Sequence, residues 1–180
     1  MQPKRDKPLI PMRGGFRIAP GMDPILKLLR EDASLSAATI ASRLGQSEGE
    51  VAQAIKAFED GKVILGYRTL IDEDLLGLNR VRAVIEVKTT PEREGGFDRI
   101  ATRIAKHDEV RSCYLMSGGY DLLVIVEGDS LHAVATFVAE KLATLKGVVS
   151  TATHFLLKPY KEHGVLMHEE AKSERLKVSP

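Results

Sequence analysis

The sequence predicts an α+β chain in two parts, an N-terminal (winged) helix-turn-helix followed by a ferredoxin-like βαββαβ domain. Three observations predict it. Apolar residues recur at helical spacing between Met22 and Gly61, and a tight Gly-containing turn separates the second helical stretch from the third. From Arg80 onward the apolar period falls from about 3.6 residues to about 2.

Each element has its own signal. Met22 opens MDPILKLLRED, where Ile25, Leu28 and Leu29 share a face and Pro24 suits a first turn. In the second helix Ser36 is the candidate N-cap, Ile40, Ala41 and Leu44 form the inner stripe, and Gly45 is the stop. Gln46 then separates that stop from Ser47, and Glu50 follows Ser47 at the spacing of a capping box. Val51, Ile55 and Phe58 make the third helix one-sided, and it ends near Gly61. The segment KVILGYRTLID reads as a strand or wing running into a linker. Beyond it, VRAVIEVK alternates as a half-buried strand, and a helix is expected at about 95–106. Strands follow at 110–116 and 121–127 around the turn Ser117-Gly118-Gly119-Tyr120, then a helix at about 130–145 and a strand at 148–158. The expected boundaries are a flexible basic arm over 1–21, the helix-turn-helix over 22–68, a linker over 69–79, the α/β domain over 80–158 and a tail over 159–180. The run Leu122-Leu123-Val124-Ile125-Val126 is apolar toward both faces of a sheet whose two helices cover one, so a second subunit is expected on the other.

Composition narrows the class. The chain has 180 residues, 43% hydrophobic and 28% charged, which is the ordinary globular range. No apolar run approaches the roughly 20 residues of a membrane span, no signal peptide is visible, and the single Cys113 excludes a disulfide framework or a multi-cysteine zinc site. A cytoplasmic location with no membrane partner is the expectation. Net charge is only +1, but residues 1–21 hold five basic side chains against one acidic, while 69–77 hold three acidic and no basic. His107, His132, His154, His163 and His168 show no metal-ligand spacing and read as structural or surface residues; Cys113 reads as a buried small hydrophobe. Neither a phosphate-binding loop nor a nucleophile-elbow motif occurs, so no metal, cofactor or catalytic residue is expected.

Two groups of residues suggest binding. Gln53 and Lys56 project from the face opposite Val51 and Ile55, where Gln53 can read adenine and Lys56 can touch phosphate; solvated surface residues would look the same. In Gly118, Gly119 and Asp121, glycine N–H groups can approach a carboxylate and Asp121 can accept from an ammonium, as an α-amino acid requires. A plain hairpin turn explains them equally. Thr151 and Thr153 lie two apart, so they share a sheet face; β-propensity also accounts for them.

The stretches GKVILGY (61–67), Leu115-Met116-Ser117-Gly118-Gly119-Tyr120-Asp121-Leu122-Leu123 and Gly147-Val148-Val149-Ser150-Thr151-Ala152-Thr153 resemble those of the Lrp/AsnC family, and the likeness covers about 22–158. The resemblance implies a transcription regulator whose C-terminal part, the RAM domain, forms homodimers, often tetramers or octamers, and binds an amino acid or related metabolite. It makes Arg43, Ser47, Gln53 and Lys56 the candidate contacts to double-stranded DNA, and Ser117, Gly118, Gly119, Asp121, Thr151 and Thr153 the candidate effector contacts. One departure stands out. The third helix carries Glu48, Glu50, Glu59 and Asp60 against Lys56, a net −3 that opposes phosphate attraction. A ligand-binding oligomer with a DNA-silent helix-turn-helix is therefore the alternative. A siroheme-decarboxylase-like enzyme ranks behind both, because strands two to four hold no Arg/His-rich run for an anionic tetrapyrrole.

Overall fold

The computed structural model describes residues 21–73, 75–90 and 96–167. Apart from Gly21, the expected basic arm lies outside these residues, as does His168. The chain divides into two compact units between Leu70 and Ile71.

Among the described residues the first unit holds three helices: α1 (Pro24–Glu31), α2 (Ala37–Leu44) and α3 (Glu48–Asp60). Each begins on a side chain that closes its own backbone. Asp23 accepts from the Ile25 N–H at 2.8 Å, Ser36 from the Thr39 N–H at 3.1 Å, and Ser47 from the Glu50 N–H at 3.3 Å. The predicted capping box at Ser47 is present in both directions. Gly45 ends α2 in the left-handed region at φ 66°. Ile25, Leu29, Ile40, Ala41, Val51 and Phe58 form the core, with Leu26, Ile55, Val63 and Ile64 half-buried against it.

The third helix ends at Gly61 as expected, whereas the wing departs from expectation. Gly61 keeps right-handed geometry at φ −74°, and Lys62 takes the left-handed turn at φ 58°. The N–H groups of Val63 and Ile64 return to the Phe58 carbonyl. No strand forms among described residues 62–73, because a β-branched run still needs a partner strand for its ladder, and this segment finds none.

The second unit runs β1 (Val81–Thr89), α4 (Asp98–Ile104), β2 (Val110–Leu115), β3 (Leu122–Gly128), α5 (Leu131–Thr136) and β4 (Val148–Leu156). The antiparallel sheet has the order β2-β3-β1-β4, which is ferredoxin-like. The predicted 95–106 helix is shorter, and the 130–145 helix changes type midway: residues Phe137–Leu142 are π-helical, with the Ala143 N–H reaching back to the Val138 carbonyl.

Register sorts the faces. Ala83, Ile85 and Val87 lie opposite Val126, Val124 and Leu122, and this face packs under Ile100, Ile104, Val134, Phe137 and Leu142. The intervening residues Val84, Leu123 and Ile125 are only half-buried on the other face. The expected tail contains a hairpin, β5 (Lys161–Glu162) and β6 (Val165–Leu166), turned by His163 and Gly164, both at positive φ as a type I′ turn requires.

Candidate nucleic-acid interface and effector site

Burial of Val51 and Phe58 on the inner side of α3 leaves Gly49, Ala52, Gln53 and Lys56 exposed along one outer stripe. Gln53 and Lys56 are the long side chains of that stripe, as the sequence predicted. Ser47 differs from its expected role: its hydroxyl donates to Glu50 Oε2 at 2.7 Å and its N–H donates to the same oxygen at 3.0 Å, so its polar groups serve the cap. Arg43 is exposed in the last turn of α2. Its charge also adds to the pull on Asp32, whose carboxyl is held below the usual range chiefly by hydrogen bonds from Ser34.

The acidic side chains of α3 are partly committed within the fold. The Ser47 hydroxyl and N–H hold the Glu50 carboxyl below its ordinary range. Glu59 accepts from the Tyr67 hydroxyl at 2.9 Å; burial first, and this carboxylate second, push the phenol upward. Both carboxylates are thus drawn toward partners off the Gly49–Lys56 stripe, but those partners are neutral and leave the charges in place, so the net −3 still opposes an approaching phosphate. Tyr67 is the residue the sequence did not single out, since nothing in the spacing ties it to Glu59.

In the second unit Ser117, Gly118 and Gly119 are exposed at the β2–β3 turn, with Gly118 at φ 149°. Asp121 fastens three strand ends together. Its carbonyl accepts from the Met116 N–H at 2.8 Å, and its N–H donates to the Val87 carbonyl at 3.0 Å. Its Oδ2 accepts from the Thr89 N–H at 2.7 Å and lies 3.4 Å from the Thr89 hydroxyl. One carboxylate oxygen is therefore engaged by the protein itself.

Thr151 and Thr153 pair with Val87 and Ile85, which sets them on the helix-covered face, half-buried. Because β1 lies between β3 and β4, they stand about 10 Å from the β3 end that carries Asp121. The six expected effector residues thus form a compact group, 117–121, and a separate threonine pair. Cys113 is half-buried rather than buried, and desolvation pushes its thiol upward.

Three comparisons bear on these surfaces. Residues 82–166 match the Lrp/AsnC ligand binding domain, and residues 25–64 match a winged helix-turn-helix DNA-binding domain. An uncharacterized helix-turn-helix transcriptional regulator of Bacillus subtilis, YugG, is 45% identical over 157 residues, covering 87% of this chain and 95% of its own. A proline dehydrogenase transcriptional activator of Rhizobium radiobacter is 29% identical, covering 78% of this chain and 90% of its own. Among solved structures, a transcriptional regulator of Neisseria meningitidis in complex with L-Met has a TM-score of 0.62 at 25% identity, covering 77% of this chain and 89% of that one.

Proposed function

The chain belongs to the Lrp/AsnC family of helix-turn-helix transcriptional regulators, and on that premise we propose that it is a homodimer whose DNA binding responds to an amino acid. It is a DNA-binding regulator, and the observation that carries its mode of binding is the exposed α3 stripe with Gln53 and Lys56. Gln53 reads a base edge in the major groove, Lys56 and Arg43 contact phosphate, and Ser47 fixes the start of the helix. The basic arm, net +4 over residues 1–21, adds sequence-independent affinity.

The effector approaches the 117–121 turn, where exposed N–H groups meet its carboxylate and the second oxygen of Asp121 meets its ammonium. The L-Met bound by the Neisseria relative supports the chemical class. Thr151 and Thr153 act from the covered face as packing residues. The half-buried Val84, Leu123 and Ile125 on the open sheet face support the dimer. A regulator rather than an enzyme is the reading that its relatives favour. Among the described residues no helix is long and apolar enough to cross a membrane, and a DNA-binding role fits the cytoplasm.

Fluorescence anisotropy on the protein's own upstream DNA, with and without each common amino acid, tests this reading. Gln53→Ala should change sequence preference, while Lys56→Ala should weaken binding to all sequences. A chain beginning at Met22 should bind more weakly, its salt slope falling by about 0.9 for each phosphate the arm would have neutralised. No binding by the intact protein at low salt refutes the DNA reading; no response to any amino acid refutes the effector.

A further inference from the structure

The chain that joins the two units is fastened to each of them, and the fastenings leave little of it free. On the side of the first unit, the Val63 and Ile64 N–H groups donate to the Phe58 carbonyl at 2.8 and 3.0 Å, and the Tyr67 hydroxyl donates to Glu59 Oε1 at 2.9 Å. The chain is thus attached to the end of α3 as far as Tyr67. On the side of the second unit, Glu73 pairs with Arg82 of β1 at 3.4 Å, the Leu75 N–H donates to Asp72 Oδ1 at 3.2 Å, and the Leu78 N–H donates to the Glu73 carbonyl at 3.0 Å. Attachment to the sheet therefore starts at Glu73.

The two fastenings differ in strength. Tyr67 is 52% exposed, so water competes for its hydroxyl. The Arg82 and Glu73 side chains are only 17% and 24% exposed, and the same guanidinium also holds Glu162 of β5. A planar fork already ordered by one carboxylate loses less freedom in binding the second. Between the fastenings lie residues 68–72, which span at most about 18 Å fully extended. Without the Arg82–Glu73 pair, the next ion pair to the sheet is that of Arg80 with Glu127 of β3, and the free stretch grows to residues 68–79.

We propose that Arg82 is a positioning residue for DNA binding: by holding Glu73 it keeps the joint short, so that the two helix-turn-helix units of a homodimer accept paired half-sites at one spacing only. The inference rests on the homodimer reading and adds to it the residue that sets the spacing. Once one unit is bound, the effective concentration of the other at its half-site falls roughly as the −3/2 power of the free length, so lengthening the joint from 68–72 to 68–79 should weaken binding about fourfold. The same slack lets the second unit reach a displaced half-site. A lone half-site, bound by one unit, does not sense the joint.

Fluorescence anisotropy with the intact protein tests it on three DNAs: its own upstream DNA, the same DNA with five base pairs inserted between the half-sites, and a fragment holding one half-site. Half-sites one helical turn apart are about 10–10.5 base pairs apart, so the insertion carries the second to the opposite side of the duplex. The unaltered protein should lose on the order of a hundredfold in affinity on insertion, the avidity of a linked pair. Glu73→Gln, which leaves Arg82 paired with Glu162, should bind the uninterrupted DNA about fourfold more weakly, shrink the insertion penalty several-fold and leave the lone half-site unchanged. Arg82→Gln should do the same, whereas Glu162→Gln, which leaves Glu73 in place, should keep the full penalty. An unchanged penalty in Glu73→Gln overturns the proposal, as does an unaltered protein indifferent to the insertion. An equal relaxation in Glu162→Gln assigns the effect to the hairpin, and weaker binding of the lone half-site assigns it to the helix-turn-helix itself; either overturns the role of the joint. Sedimentation separates the two ideas: a monomer overturns the homodimer and this inference with it, whereas a dimer with an unchanged penalty overturns this inference alone.

Discussion

In the first unit every described helix starts on a capping side chain, whereas in the second the strands are held by partners far along the chain, and of its helices α5 is capped by Ser130 but α4 starts at Phe97 with no side-chain cap. The cores differ in the same sense. Among the described residues, six buried ones hold three helices, while eleven fill the space between the sheet and its helices. Where burial is scarce, local hydrogen bonds carry more of the folding; where a sheet supplies burial, a cap can lapse, as it does at α4. The small core also leaves apolar surface over, as a groove beside α1 lined by Met22, Leu26, Leu29 and Leu65.

The sharpest way to break this comparison is to open both cores. Ile40 and Ile85 are each fully buried, so Ile→Ala at either should cost about 2–5 kcal/mol. The loss should be larger at Ile85, which sits in the central strand, than at Ile40, where short helices can close inward. Denaturant unfolding of the two variants measures both, and a greater loss at Ile40 would remove the distinction. Next in size is Asp121→Ala, which strands the N–H of the buried Thr89 at a cost of about 1–3 kcal/mol; Asp121→Asn, which keeps an acceptor, should recover most of it. Exchange of the Thr89 amide is the direct readout.

Ser47→Ala should cost about 1 kcal/mol and fray the start of α3, visible as faster amide exchange at Glu50. The smallest effect is acid sensitivity. Burial pushes the Glu127 carboxyl upward, but Arg80 and Arg111 outweigh it and leave it below its ordinary range. A carboxyl lowered in the folded state stabilises the fold above the ordinary value of about 4.3, and that stability is lost as pH falls through the lowered one. Glu127→Gln should therefore flatten the fall in stability below about pH 4. An unchanged acid limb would show that the arginines do not stabilise the carboxylate.

The parts legible in the sequence are those with short-range causes. Ser36, Gly45 and the Ser47–Glu50 box announce the helices because a cap and its acceptor lie within one turn. The period of β1 and the two-sided apolar run of β3 are equally readable. Causes that act across the chain are not. Thr89 is an ordinary strand residue until the fold sets it beside Asp121, 32 positions away, and that contact turns a proposed ligand group into a partly structural one. The wing reads as a strand because its side chains favour one, but pairing needs a neighbour that composition does not reveal. The hairpin at 161–166 has strands of two residues, too short to show a period, although His163-Gly164 is a turn signal. The π-helical stretch has no sequence pattern that we recognise.

The sheet order also sets a timetable. As the ribosome extends the chain, the three helices have all their local partners by the time Ile64 has emerged, and they can fold at once. The central strand β1 emerges next but lacks both its neighbours, since β3 begins at Leu122 and β4 ends at Leu156. At ordinary elongation rates, that interval is on the order of several seconds. During it Ala83, Ile85 and Val87 are exposed on a strand with two unpaired edges. Nascent chains of this protein are most open to aggregation, or to capture by a chaperone, in that window.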